Sequence, residues 1–214
     1  MRIIEETIIH PLPDERIIEK EERYWHQKLP EDYKKFLMNY GGCEVVENAF
    51  DDDRGIDYAI DRFFCVLENP ASAGVLGEYD IGVVETEVSE RLTDNEDLIG
   101  VDVLPIAELF AGDLLCLDFR KTPEAPTVCV WYHEESEDFE PSTYEIAKSF
   151  TEFLGMLYGD TEDLEGEAIE DAVDEIKKES VAENAEAINE DTPVEEKRMS
   201  LLEKLKSAIK KAFG

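Results

Sequence analysis

Histidines, cysteines and clustered carboxylates are the side chains that most often ligate metals or move protons. The histidines of this chain are His10, His26 and His133, and none has a second His or Cys at the short spacing of a zinc site. Cys43, Cys65, Cys116 and Cys129 stand at wide intervals with no Cys-x-x-Cys, which reads as four reduced, buried thiols rather than a disulfide framework. Asp51-Asp52-Asp53-Arg54-Gly55-Ile56-Asp57 has the outline of a calcium loop. That motif needs an oxygen ligand at its fifth position and glycine at its sixth, where Gly55 and Ile56 stand. The segment therefore reads as a solvated acidic loop whose functional use is contact with a cationic surface, made by Asp51, Asp52, Asp53 and Asp57.

Catalytic signatures are missing from the remaining motifs. Neither the nucleophile elbow G-x-S-x-G, nor the phosphate loop G-x-x-x-x-G-K-S/T, nor the dinucleotide G-x-G-x-x-G occurs. Paired carboxylates can hydrolyse glycosides, but among 54 acidic residues any chosen pair carries almost no information. No catalytic residue, metal or cofactor is expected. Trp131-Tyr132-His133 runs directly into Glu134, Glu135, Glu137 and Asp138, a second acidic cluster available to a basic partner. Trp131 reads as a core aromatic, and His133 is open to three readings: a structural hydrogen bond, the rim of a pocket, or neither.

The charge balance selects the kind of partner. With 54 acidic against 21 basic side chains in 214 residues, the net charge is −33, and the pI is about 4.2. Nucleic acid and anionic lipid would be repelled by such a surface, whereas a basic protein would be steered to it. Hydrophobic residues at 43% and aromatics at 9% still suffice for a core, so the acidity belongs to a folded body. No run of 18 apolar residues occurs, and the opening Met1-Arg2-Ile3-Ile4-Glu5-Glu6 lacks the order of a secretion signal, which gives a cytoplasmic expectation.

Composition changes near Gly159. Residues 1–159 carry 37 acidic and 13 basic side chains, with every aromatic except Phe213; residues 160–214 carry 17 and 8. This divides the chain into a core at 1–159, an acidic linker at 160–191, helical or partly disordered, and a basic amphipathic helix at 192–214. In the last segment Leu202, Leu205, Ile209 and Phe213 form an apolar stripe beside Lys204, Lys206, Lys210 and Lys211. Such a helix can dock on the acidic core, on a partner or on a membrane surface; self-docking is the expectation, because that attraction is intramolecular.

In the core, Ile17, Ile18, Tyr24 and Trp25 predict a helix over 14–28. Pro30 at the first helical position, then Tyr33, Phe36, Leu37 and Tyr40 at i, i+3, i+4 and i+7, predict a second, stopped by Gly41-Gly42. Apolar, β-branched runs at 62–67, 101–106, 114–119 and 127–132 read as strands, the last two joined antiparallel through an exposed connection at 120–126. A weaker helical pattern covers 85–92. Ser142-Thr143-Tyr144-Glu145 is a capping-box sequence, so a closing helix is expected from Ser142, with Ile146, Phe150, Phe153, Leu154 and Leu157 on its apolar face. The sum is an α+β fold: a mixed, largely antiparallel sheet packed by N-terminal and C-terminal helices, with a helical tail.

The order of these pieces resembles the SUKH superfamily, which includes the yeast Smi/Knr cell-wall regulator and many bacterial immunity proteins. The opening resembles Leu29-Pro30-x-x-Tyr33-x-x-Phe36-Leu37 followed by Gly41-Gly42; then come Gly112-Asp113 with Asp118, Trp131 with His133, and a closing Phe150 to Leu154 helix. Tyr40 interrupts the family's Asn-Gly-Gly run, and the residues after Gly159 have no counterpart in the minimal domain. These shared residues have structural explanations and argue for the fold. For function the resemblance implies binding: neutralisation of a cognate polymorphic or contact-dependent toxin, often a nuclease, by a tight cytoplasmic complex. The alternative is an intracellular scaffold or regulatory module of the Smi/Knr type.

Overall fold

A computed structural model describes residues 1–159, within the first of two units into which the chain divides, Met1–Thr161. The linker and helix expected at 160–191 and 192–214 lie outside the described residues.

Two helices open the core. Helix α1 (Glu15–Trp25) starts where the Asp14 carboxylate accepts the Ile17 N–H at 2.9 Å, satisfying one of the donors that a helix start leaves unpaired. It ends at His26, whose φ of 57° lies in the left-handed region. Helix α2 (Glu31–Tyr40) follows, with Pro30 as the flanking cap rather than the first helical residue. Its stop uses the second glycine: Gly42 has φ 78°, and a Cβ there would lie 2.5 Å from Ile9.

The link between these helices is tied by one buried carboxylate. Glu22 receives Lys28 at 2.6 Å, Lys34 at 2.8 Å and the Leu29 N–H at 2.9 Å. Burial would raise its pKa, but the two ammonium groups and the N–H outweigh burial and hold it below the ordinary carboxylate value.

A short ladder, β1 (Ile3–Ile4) with β2 (Glu44–Val45), precedes the main sheet. That sheet runs β3 (Ala49–Asp51), β4 (Asp57–Phe63), β5 (Val103–Leu109), β6 (Leu114–Asp118), β7 (Thr127–Trp131) and β8 (Thr143–Ala147), in sequence order and antiparallel throughout. Pro105 has no N–H to give the ladder, and the register shifts between Pro105 and Ala107 to accommodate it. The fold is thus α+β, as the sequence patterns predict. The β6–β7 hairpin pairs Cys116 with Cys129, and all four cysteines are free and buried.

The sheet is curled. Flat, six strands would hold their edges about 24 Å apart. Here Tyr58 on β4 and Tyr132 just past β7 bring their hydroxyls within 2.7 Å, and Ala49 on β3 bonds Tyr158 beyond β8 at 2.9 Å in both directions. Phe36, Phe63, Tyr33 and Phe150 form the aromatic centre, with Phe150 ring centroids 4.9 Å from Tyr33 and 5.2 Å from Phe36.

Helix α3 (Ile81–Val88) is capped by Asp80 and packs against β5; a 3-10 turn, Ser89–Arg91, extends it. This is earlier than the 85–92 pattern, because Asp80 supplies the cap. The closing helix differs more. Residues 143–147 are strand β8, and helix α4 (Phe150–Leu154) has Ser149 as its cap, seven residues after the expected cap at Ser142. Ser149-Phe150-Thr151-Glu152 is itself a serine-to-glutamate box: Ser149 Oγ accepts the Glu152 N–H at 3.1 Å, while the Glu152 carboxylate accepts the Lys148 N–H at 2.8 Å. The stretch before it completes the sheet on β7. Asp32 of α2 accepts the Thr151 N–H at 2.9 Å and hydroxyl at 2.7 Å, so α2 holds the start of α4.

Candidate functional site

The two acidic segments, 51–57 and 134–138, are far apart in sequence, and the curl makes them neighbours. Their meeting point is Arg54, the lone cation between Lys35 and Arg62. Its guanidinium is held by Asp52 at 2.8 Å, donates to the Tyr132 hydroxyl at 2.6 Å and to the Tyr58 hydroxyl at 3.2 Å, and lies 3.5 Å from the Tyr144 ring centre. Tyr132 is two residues before Glu134, so the hairpin turn is latched directly beside the second cluster.

Asp52 differs from its neighbours. Its carboxylate is fully covered, accepting the Arg54 N–H at 2.9 Å and the Ile56 N–H at 3.0 Å as well as the guanidinium. Desolvation would raise its pKa, but these donors hold it below the ordinary value. It shapes the turn and presents no charge to solvent. Asp51, Asp53 and Asp57 are exposed, and so are Glu134, Glu135, Glu137 and Asp138. Asp53 accepts from the Tyr144 hydroxyl and Asp51 from the Tyr158 hydroxyl, which fixes the position of both carboxylates. Burial and the Tyr132 hydroxyl push the Tyr58 phenol well above its ordinary pKa, so it stays a donor at neutral pH.

On its other side the loop at 132–142 is anchored by Arg91, at the end of the turn after α3. Arg91 donates to the His133 carbonyl and, at 2.8 Å, to the Ser136 carbonyl; its own carbonyl accepts the Trp131 Nε1–H at 2.8 Å. Trp131 is 1% exposed, a core residue. His133 combines two of its readings. Asp113 accepts its backbone N–H and its Nδ1–H, each at 3.0 Å, which selects that tautomer. The ring also borders a cleft of about 450 Å³ between α3 and the sheet, beside Arg91, Trp131, Glu87, Glu108 and Gly112. Gly112 has φ 89°, a left-handed backbone conformation that favours glycine, and it lies against the imidazole.

The other motif residues meet in the core or hold turns. Asp118 binds Arg120 through two bonds, at 2.9 and 2.6 Å, and Arg120 passes on to the Thr143 hydroxyl at 2.6 Å, locking the β6–β7 turn to β8. Leu29, Tyr33, Phe36, Leu37, Gly41 and Phe150 are buried, and Leu154 half-buried. Sequence reasoning missed Arg54, Arg91 and the tyrosines that receive Arg54. The one available signal was a cation isolated within an acidic run. Among the described residues, no group of three or more His, Cys, Asp or Glu side chains is placed to hold a metal ion, and no helix is long and apolar enough to cross a membrane.

Chemically, the arrangement is a fixed anionic rim with its internal cation neutralised. It suits recognition of a cationic surface. The chain is 28% identical over 137 residues to the SPbeta prophage-derived uncharacterized protein YokK of Bacillus subtilis (strain 168), covering 61% of this chain and 67% of that protein. No solved structure is a significant match. The family described as SMI1-KNR4 cell-wall matches residues 15–154, from the start of α1 to the end of α4, and the chain belongs to this SUKH family.

Proposed function

We propose that this protein is a non-catalytic immunity protein that binds a cognate polymorphic or contact-dependent toxin inside the cytoplasm and blocks it by occlusion. Toxin immunity is frequent in the family, and the chain's own surface supports the same reading. The observation that carries it is the latch at Arg54, which gathers Asp51, Asp53 and Asp57 with Glu134, Glu135, Glu137 and Asp138 around one end of the curled sheet. The partner is a basic domain. A nuclease fits best, since a cleft that holds phosphates must be cationic, and an acidic rim competes for the same surface.

Co-expression with the toxin encoded beside this gene tests the proposal. Growth should be restored by the native chain and lost when the seven exposed carboxylates are changed together to Asn or Gln with the fold intact. Retention of a non-toxic cellular protein, with no rescue, would replace this reading with the regulatory scaffold.

A further inference from the structure

Among the described residues Glu85 has no counter-charge. It lies on α3, 9% exposed, and its Oε2 is sealed from solvent without a hydrogen-bond partner among them. Burial pushes its pKa above the ordinary value, with no compensating cation among the described residues. An orphaned buried carboxylate is costly unless something arrives to pair with it.

Glu85 lines a recess of about 170 Å³ between α3, the end of α1 and residues 92–101. Its walls are mixed: Glu85 and Thr86 on α3, Ser89 in the turn after it and Thr93 are polar members, and Leu92 and Val101 are buried apolar members. The mouth carries Tyr24 and Leu98, 62% and 45% exposed. Leu98 adopts φ 51°, a left-handed conformation disfavoured for a non-glycine residue. Gly100 then presses against α1, where a Cβ would lie 2.8 Å from the Trp25 carbonyl. The chain is thus strained and closely packed where it forms this apolar lip.

We propose that this recess receives a lysine side chain of the protein partner, its methylenes lying along Leu92, Leu98 and Val101 and its ammonium meeting Glu85. Lysine suits the geometry better than arginine. A guanidinium fork uses both carboxylate oxygens, and one of these is sealed; an ammonium needs one reachable oxygen and can share its other donors with Ser89. Long cationic side chains bury their stems and need a counter-charge only at the tip. The recess also borders the acidic rim: the Phe139 N–H donates to the Glu90 carbonyl at 2.6 Å, beside Ser89 and one residue past Asp138. A basic partner steered to the rim would find an anchor next to it. The partner's identity rests on the immunity reading, whereas the ligand chemistry does not.

Titration of the full chain with n-butylammonium, followed by carbon and methyl NMR at fixed ionic strength, tests the recess without any toxin. Saturable shifts are expected at the Leu92, Leu98 and Val101 methyls and at Glu85 Cδ. Neutral 1-butanol should leave Glu85 Cδ unmoved. Glu85→Gln should weaken the ammonium at least about tenfold, the loss of one charge-assisted hydrogen bond, and Ser89→Ala should weaken it less while keeping the carboxylate. Shifts that fail to saturate, shifts confined to the exposed acidic clusters, or unchanged affinity in folded Glu85→Gln and Ser89→Ala would overturn the assignment. Failure here would leave growth rescue by the native chain untouched.

Discussion

Arg54 donates a 2.6 Å hydrogen bond to the Tyr132 hydroxyl across 78 residues of sequence, joining the β3–β4 turn to the end of β7. A cation in the middle of an acidic surface therefore positions carboxylates and does not oppose them. Arg54→Ala makes the protein one unit more negative, yet it should weaken toxin binding several-fold, because Asp51, Asp53 and Asp57 lose their fixed place beside Glu134. Asp57→Asn, which removes a charge and no latch, should weaken it less. Surface-immobilised binding assays on both variants check the order.

The aromatic centre predicts a large stability effect. Phe150 is 1% exposed and packs edge-on against Tyr33 and Phe36. Truncation to alanine should cost about 3–5 kcal/mol, read as a lower urea midpoint with an unchanged slope.

The two serine boxes near the end of the core should separate in the same assay. Ser149→Ala removes the cap of α4 and should cost about 1 kcal/mol. Ser142→Ala should cost less, since its hydroxyl only donates to the exposed Glu135 at 3.2 Å.

That contrast also marks where sequence patterns stop being informative. Helices α1 and α2 and strands β6 and β7 were legible because their apolar spacing, caps and turn chemistry agree. Residues 142–157 carried two serine boxes in series. The first was locally sound, but Thr143, Tyr144 and Ile146 also suit a pleated strand, and an unpaired β7 edge decides in favour of one. Strand β4 begins at Asp57 rather than Arg62, because its exposed positions hide the alternation. The site was half legible: both acidic clusters stand out, whereas their proximity depends on the curl, which no local pattern encodes. Asp52 looks identical to Asp51 and Asp53 in sequence, and only the turn geometry turns its carboxylate inward.

Glu22 predicts an acid limb in stability. Its folded pKa is depressed, so its contribution is complete above the unfolded carboxylate value, about 4.3, and is lost as pH falls through the lower folded value. Denaturation across that window should be flatter for Glu22→Gln than for the native chain, and the variant should be less stable at neutral pH, because the ammonium groups of Lys28 and Lys34 then face a neutral amide in place of a carboxylate.

The most direct measurement is stopped-flow association of the native chain with the proposed partner, a basic toxin domain, across a salt series. Occlusion by the acidic rim predicts a fast association that slows at least about tenfold between low and high salt, and that slows likewise at low salt once the seven exposed carboxylates are neutralised. Association indifferent to both salt and neutralisation would contradict it.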